Sequence, residues 1–462
     1  MTDRLAGSLI FINSILIVIV EWGGGDEFSV AAGGIVTLFL AITFGKVSWP
    51  RKIFIIIGLC LFTLALITRP DWPMMTFQAL KAAAFVGAFF VALTWLRNAA
   101  ASSPAIQSCG LFLAEQPAGR RYVALTLGGH LFAVILNYGA LSLLGNLATS
   151  SAAGEPDLEA RQIRTRRMLL AIQRGFVGML TWSPLAFSIA ITTSIIPGTS
   201  WGGAVLPCLI TSLILMTLGW ALDAAYKPNP ARTLRARKDP EGNWWLMSPL
   251  VLLLAILVVS VGLILMLTPL RAVAAVMLFM PVLSLSWIAI QELELGRGVL
   301  TRTAGRFVTY ITVELPNYRA EMVILIMAGF IGTMGSSLIA PFVKASGIDL
   351  AAIPAWVLLV ALVWLIPLTG QLGMNPILSI SLFAPLLPDP SAIGVSPTAF
   401  VVAITGGWAL AGASSPYTAS TMLIGSLGGV EARKVGMGWN GPFTLIGGVL
   451  VSFWVIFAIN WI

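Results

Sequence analysis

Apolar runs of near-span length recur from one end of the chain to the other, each closed by a short polar or basic segment. About 20 such residues cross roughly 30 Å of hydrocarbon. The pattern predicts spans over 5–20, 29–45, 52–68, 77–96, 168–195, 203–224, 247–268, 270–291, 320–342, 397–426 and 438–461. Two further apolar stretches, 122–148 and 353–387, do not fit as single crossings. Cytoplasmic loops carry the excess of Lys and Arg, which places Lys46, Arg51, Lys52, Arg97, Arg120, Arg121, Arg161, Arg164, Arg166 and Arg167 inside. EWGGGDEFS (21–29) and segment 388–396 hold no Lys or Arg and lie outside. Both ends of 122–148 are then cytoplasmic and both ends of 353–387 external. Each reads as a re-entrant hairpin, whose irregular tip is tolerated only inside protein or beside a wet cavity. The expected fold class is an all-α polytopic membrane protein of about eleven transmembrane helices plus two re-entrant hairpins in an inverted-topology repeat. Its N-terminus is cytoplasmic and its C-terminus external. Segment 98–121 runs along the cytoplasmic interface.

Composition sharpens this picture. Of 462 residues, 58% are hydrophobic and 10% charged, against about 25% charged in soluble domains. The net charge of +8 sits in short loops, where it sets orientation, so no nucleic-acid partner is implied; the lipid bilayer is the partner. No small-residue cleavage site follows the first apolar run, which reads as a span and not a signal peptide. Cys60, Cys109 and Cys208 are isolated and indicate neither a disulfide framework nor a metal site; packing is their expected role.

The two halves resemble each other. TWSPLAFS (181–188) and ASSPYTAS (413–420) align without gaps 232 residues apart, placing Ser183-Pro184 over Ser415-Pro416 and Ser188 over Ser420. Upstream, NYGALSLLG (137–145) matches NPILSISLF (375–383), with Asn137 over Asn375. The Asn-to-Ser spacing is 46 residues in one half and 40 in the other, and the extra length falls in the charged loop 149–167. The expected organisation is N-terminal scaffold helices (1–76), a first repeat (77–225) with hairpin 122–148 and broken helix 168–195, and a basic cytoplasmic loop (226–246). Linking helices with a cytoplasmic segment (247–318) follow, then a second repeat (319–462) with hairpin 353–387 and broken helix 397–426. Inverted repeats with discontinuous helices point to a secondary transporter with its site at the repeat interface.

At each break Pro184 or Pro416 removes a backbone N–H and clashes with the preceding turn. Freed carbonyls and neighbouring hydroxyls can replace the hydration shell of a sodium ion, while a half-helix N-terminus favours an anion. A Ser-Pro pair can also be a simple kink, and Asn137 or Asn375 can be interhelical glue; recurrence at equivalent places favours binding. His130, the single histidine, lies seven residues before Asn137 and is a candidate proton carrier or a satisfied packing residue. Arg174 can attract an anion or snorkel to the cytoplasmic face. Lys81 and Lys344 read as anchors. No Asp or Glu falls deep in the hairpins or broken spans, which disfavours a carboxylate proton relay.

This order of hairpin, broken helix and their copies resembles the ion-transporter superfamily, in particular the divalent-anion/sodium symporters and, more distantly, arsenite- and citrate-type permeases. The resemblance covers the chain from about residue 77 onward. In that family the hairpin tips carry Ser-Asn-Thr; here Asn137 stands between Leu136 and Tyr138, and Asn375 between Met374 and Pro376. The resemblance implies sodium ligation by Thr181, Ser183, Ser188, Ser414, Ser415 and Thr418 with the two asparagines. It implies substrate contacts from Asn137, Asn375, Ser183, Pro184, Ser415, Pro416 and Thr418. A homodimer formed through a scaffold of the first four spans and the 247–291 pair, an elevator motion, and no cofactor beyond Na+ follow from the same resemblance. The expected function is sodium-coupled secondary transport of a small, anionic solute in a bacterial-type inner membrane. Its rivals are an efflux permease, the membrane subunit of a binding-protein-dependent carrier, a structural subunit, and a membrane-embedded glycan-processing enzyme. The enzyme is disfavoured, because no external loop exceeds about ten residues.

Overall fold

The computed structural model describes residues 2–101, 103–226, 242–293, 298–347 and 349–459. Most of the basic loop expected over 226–246 lies outside them. The described residues hold helices and no strand. In chain order these are α1 (Thr2–Glu21), α2 (Asp26–Phe44), α3 (Trp49–Thr68), α4 (Trp72–Ala101), α5 (Pro104–Ala114), α6 (Ala118–Leu136) and α7 (Tyr138–Ala153). There follow α8 (Leu158–Met179), α9 (Phe187–Ile195), α10 (Trp201–Ala225), α11 (Ser248–Leu267), α12 (Ala272–Leu293), α13 (Val299–Thr309) and the single turn α14 (Leu315–Asn317). The chain finishes with α15 (Arg319–Ala345), α16 (Ala355–Gln371), α17 (Pro376–Phe383), α18 (Pro397–Ser414), α19 (Ala419–Gly428) and α20 (Gly441–Ile459).

Among the described residues ten helical segments are long and apolar enough to cross a membrane, and the chain is a multi-pass membrane protein. The eleventh expected span, 168–195, is missing from that set for a physical reason. Its first half, α8, opens with four arginines and becomes buried and apolar only from Met168, and it stops at Met179, short of a full crossing. The hairpin tips fall where the asparagines stand. Asn137 alone separates α6 from α7, at φ 50° and ψ −128°, and it is the one non-glycine residue with positive φ among those described. With ψ at −128° this is a conformation that glycine normally fills in tight turns, so the asparagine is held there under strain. In the second half, Leu372–Asn375 separate α16 from α17, with Gly373 at φ 93°.

The chain divides into two compact units. The first comprises 1–99, 260–350 and 377–388. Small residues set its helix packing: Gly58 of α3 faces Met327 and Phe330 of α15, and Gly332 of α15 lies against Ser381 of α17. An aromatic cluster of Phe11, Trp95, Phe307 and Tyr310 joins α1 and α4 to α13 and the stretch after it. Within it the Tyr310 hydroxyl lies 2.6 Å from that of Thr94, so its buried polar tip is satisfied.

The second unit comprises 100–259, 351–376 and 389–462, and it holds both broken helices. It too depends on close backbone approach. Gly129 and Gly175 let α6 and α8 touch, and Gly407 brings α18 onto the carbonyls of Leu362 and Val363 in α16. Cys109 and Cys208 are buried here, and Cys60 of the first unit is exposed; none is disulfide-bonded. A Cβ on Gly175 would stand 2.2 Å from the Thr126 carbonyl oxygen, whereas one on Gly202 would meet nothing within 4 Å. Gly175→Ala is therefore expected to destabilise the protein by about 1–3 kcal/mol and Gly202→Ala to be silent, as read from thermal unfolding of the purified protein in detergent.

Candidate functional site

The two breaks share one local chemistry. A residue before proline is disfavoured in the α region, and proline offers no N–H to continue the ladder. A helix cannot run on through Ser183-Pro184 or Ser415-Pro416: α8 has already ended at Met179, and α18 ends at Ser414, with Ser415 extended at φ −72°, ψ 125°. The freed groups are then bonded in the same way in both halves. Ser183 N–H donates to Met179 O (3.1 Å) and Ser415 N–H to Ala411 O (2.9 Å). The serine hydroxyl oxygen accepts the amide two residues on, Leu185 in one case (3.3 Å) and Tyr417 in the other (3.2 Å). Ala186 N–H returns to Ser183 O (2.9 Å), as Thr418 N–H does to Ser415 O (3.2 Å). Finally Ser188 Oγ donates back across the break to Leu180 O, and Ser420 Oγ to Gly412 O. Every pair is offset by 232 residues, the offset of the sequence match.

The breaks also touch. Gly412 packs against Leu180 and Val177, so the equivalent positions 180 and 412 face each other. Among the predicted site residues, Thr181, Ser183, Ser188, Ser414 and Ser415 are buried at these two breaks, with Thr418 9% exposed. Ser415 Oγ donates to Gly370 O (2.6 Å), and Gln371 Nε2 reaches Ser414 Oγ (3.4 Å), tying the end of α16 to the second break. Thr418 Oγ donates to Ser415 O (2.9 Å), and Thr421 Oγ reaches the same oxygen. Thr181 Oγ lies 2.9 Å from both Gly178 O and Cys208 O. Pro184 and Pro416 sit inside the turns themselves. Asn137 stays at its tip, where Tyr138 packs on Phe176 at 5.0 Å; its Oδ1 is buried without a hydrogen-bond partner. No hydrogen bond joins Asn137 to Ser183 or Ser415. Asn375 lies at the start of α17, at the opposite end of the α16–α17 turn from Gly370.

His130 and Arg174 are both buried. His130 Nε2 accepts the Trp182 indole N–H (3.0 Å), and Nδ1 lies 3.1 Å from Gly175 O. An indole N–H can only donate, so Nδ1 carries the ring proton and both nitrogens are committed. Arg174 donates to Asn440 Oδ1 (3.2 Å), Tyr122 OH (3.0 Å) and Gly219 O (3.2 Å), and its guanidinium stands 4.9 Å from the Phe443 ring. Asn440 in turn donates to Gln173 Oε1 (2.9 Å) and Ala413 O (3.2 Å), and Gln173 reaches Gly412 O at 3.5 Å.

Sequence reasoning missed Gln173, Asn440, Trp182 and Gly370 as parts of this assembly. Gln173 and Asn440 had a signal, being amides inside apolar surroundings (LLAIQRGF and GWNGPF). Gly370 contributes only a carbonyl, which no side-chain pattern reveals. Among the described residues no cluster of His, Cys, Asp and Glu fit to hold a metal is found. The oxygens available are neutral hydroxyls and carbonyls, which suit a hard monovalent cation better than a transition metal.

The architecture and the paired breaks define an internally repeated, polytopic helical membrane protein. Solved structures that share its fold include two transport proteins. One is the Alcanivorax borkumensis YdaH transporter, described as having an unusual topology, with TM-score 0.52, 16% identity, and coverage of 89% of this chain and 99% of that chain. The other is Neisseria gonorrhoeae MtrF, described as illuminating a class of antimetabolite efflux pumps, with TM-score 0.53, 15% identity, and coverage of 89% and 96%. At these identities the likeness is one of fold. No protein-family model matches the chain, and no curated protein matches it in sequence.

Removing Asn440 leaves the buried Arg174 charge short of one acceptor, and a hydrogen bond to a charged group is worth about 1.5–3 kcal/mol. Asn440→Leu is expected to lower the unfolding temperature steeply. Arg174→Met combined with Asn440→Leu is expected to recover most of the loss, because an apolar pair of similar size replaces the network. A double variant as unstable as the single one would contradict this arrangement.

Proposed function

We propose that this protein is a secondary active transporter that moves a small anionic solute with sodium across a bacterial-type inner membrane. The observation that carries the reading is the bond-for-bond repetition of the two breaks. A single kink needs no copy, whereas two copies in contact make one composite site at a repeat interface. Freed carbonyls and hydroxyls supply oxygen ligands for the cation. The absence of Asp and Glu from both breaks favours sodium over a carboxylate-borne proton. Asn137, with an unpartnered buried oxygen on a strained turn, is the hairpin group readiest to take a ligand, because strain of that kind collects at functional sites. The inverted orientation of the repeats, re-entry of both hairpins, an elevator motion and a homodimer complete the proposal, as the resemblance to the divalent-anion/sodium symporters implies. The cytoplasmic N-terminus and external C-terminus belong to it too, by the distribution of Lys and Arg.

Export is the second reading, and the fold shared with MtrF, an efflux pump by its description, favours it. Both directions use the same site, and one experiment separates them. Purified protein in liposomes is given an imposed sodium or proton gradient and a panel of radiolabelled carboxylates, oxyanions and neutral solutes. Symport requires accumulation of an anion that follows an inward sodium gradient and is lost when choline replaces sodium. Export requires loss of preloaded solute driven by an opposing gradient. Asn137→Gly keeps the positive φ but removes the amide, and it is expected to fold normally while lowering transport about tenfold. Normal transport by Asn137→Gly and by Ser415→Ala together would refute the assignment of the site.

A further inference from the structure

The two breaks repeat each other in backbone bonding, yet they differ in what else surrounds them. At the second break the carbonyls are occupied by side-chain donors, two of which, Gln173 and Asn440, come from outside the break. Gly412 O takes Ser420 and Gln173, Ala413 O takes Asn440, and Ser415 O takes Thr418 and Thr421. At the first break Leu180 O takes Ser188, and Trp182 O takes the Trp201 indole at 2.8 Å. Thr181 O, the counterpart of Ala413 O, receives no hydrogen bond from a described residue. The hydroxyls differ in the same sense. Ser415 Oγ spends its proton on Gly370 O, whereas Ser183 Oγ accepts from Leu185 N–H and donates to no described residue.

Charge divides the pair further. Arg174 is 4% exposed, and its hydrogen-bond partners are all neutral. Arginine stays protonated in proteins, and among the described residues no carboxylate forms an ion pair with it. Asp223, one turn beyond Gly219 on α10, is engaged by Arg167, so the Arg174 charge is only partly offset in a poorly screened interior. One amide, that of Asn440, separates the guanidinium from Ala413 O. Because Arg174 donates to Asn440 Oδ1, the amide nitrogen must point at Gln173 and the second break, and the positive potential is handed on in that direction. The first break lies six residues further along α8, about 9 Å by helical rise, and side chains on a helix lean toward its N-terminus, away from that break.

We propose that the quasi-equivalent breaks are specialised. The coupling cation binds at the first break, to Thr181 O and Ser183 Oγ, and the second break, under Arg174, receives the anionic end of the solute. This assignment rests on the reading of the breaks as a cation-coupled site and narrows it. Ser415 is then a solute residue and not a cation ligand.

The test uses the full-length protein in detergent, with sodium chloride replacing choline chloride at constant ionic strength and thermal unfolding as the readout. Wild type is expected to show one saturable stabilisation by sodium. Ser183→Ala is expected to raise the half-saturating sodium concentration about tenfold, and Ser415→Ala to leave it within about twofold. Unfolding in choline alone reports any structural damage separately. Should the alanine variant not fold, Ser183→Cys carries the same test, since a soft sulfur does not suit a hard cation. Equal losses at both serines, or a larger one at Ser415, would overturn the specialisation. No sodium effect on wild type would overturn sodium coupling itself, and the two failures are distinguishable because the second involves no variant.

Discussion

An interrupted helix inside hydrocarbon sets backbone groups free where no water can satisfy them, and this protein answers that constraint twice with the same device. A serine ahead of proline ends the helix and turns its own oxygen back onto the amide two residues on. A second serine, five residues further, stitches the far half-helix to a carbonyl of the near one. Each stitch is worth little by itself, about 0.6 kcal/mol for an interhelical bond in a membrane. Its larger effect is geometric. It holds two half-helices in register across a gap that keeps carbonyls available.

From that device the rest of the second unit follows. The breaks can abut at Leu180 and Gly412 because glycine stands on one side of the contact. The close approach of α6 to α8 and of α16 to α18 places both turns inside protein, as unpaired backbone at membrane depth requires. His130 clamps Trp182, Trp201 holds the carbonyl of the same residue, and Gly370 receives Ser415. The Arg174–Asn440–Gln173 network is the element without a counterpart in the other half. It makes two similar turns electrostatically unlike.

Much of this was legible in the sequence. Spans follow from length and hydropathy, and the breaks from Ser-Pro at matched positions 232 residues apart. Asn137 was placed at a tip because both flanks of its segment are basic, and its positive φ is the backbone trace of that turn. Other features were not legible. The break within 168–195 is legible from Ser183-Pro184, but that α8 already stops at Met179 is not. For His130 the sequence leaves a proton carrier and a satisfied packing residue both open, because it does not show which donor an imidazole will meet. The partners of Arg174 lie as many as 266 positions away in the chain, and no periodicity reports such a contact. Carbonyls such as that of Gly370 leave no mark on composition at all.

The central claim is that the two breaks together form the working site, and hydrogen–deuterium exchange of the purified protein in sodium against choline tests it directly. The account predicts slower exchange in sodium for peptides covering 180–188, a smaller effect over 412–421, and none in residues 2–99. Unchanged exchange at both breaks, or slowing spread evenly over the chain, would contradict it.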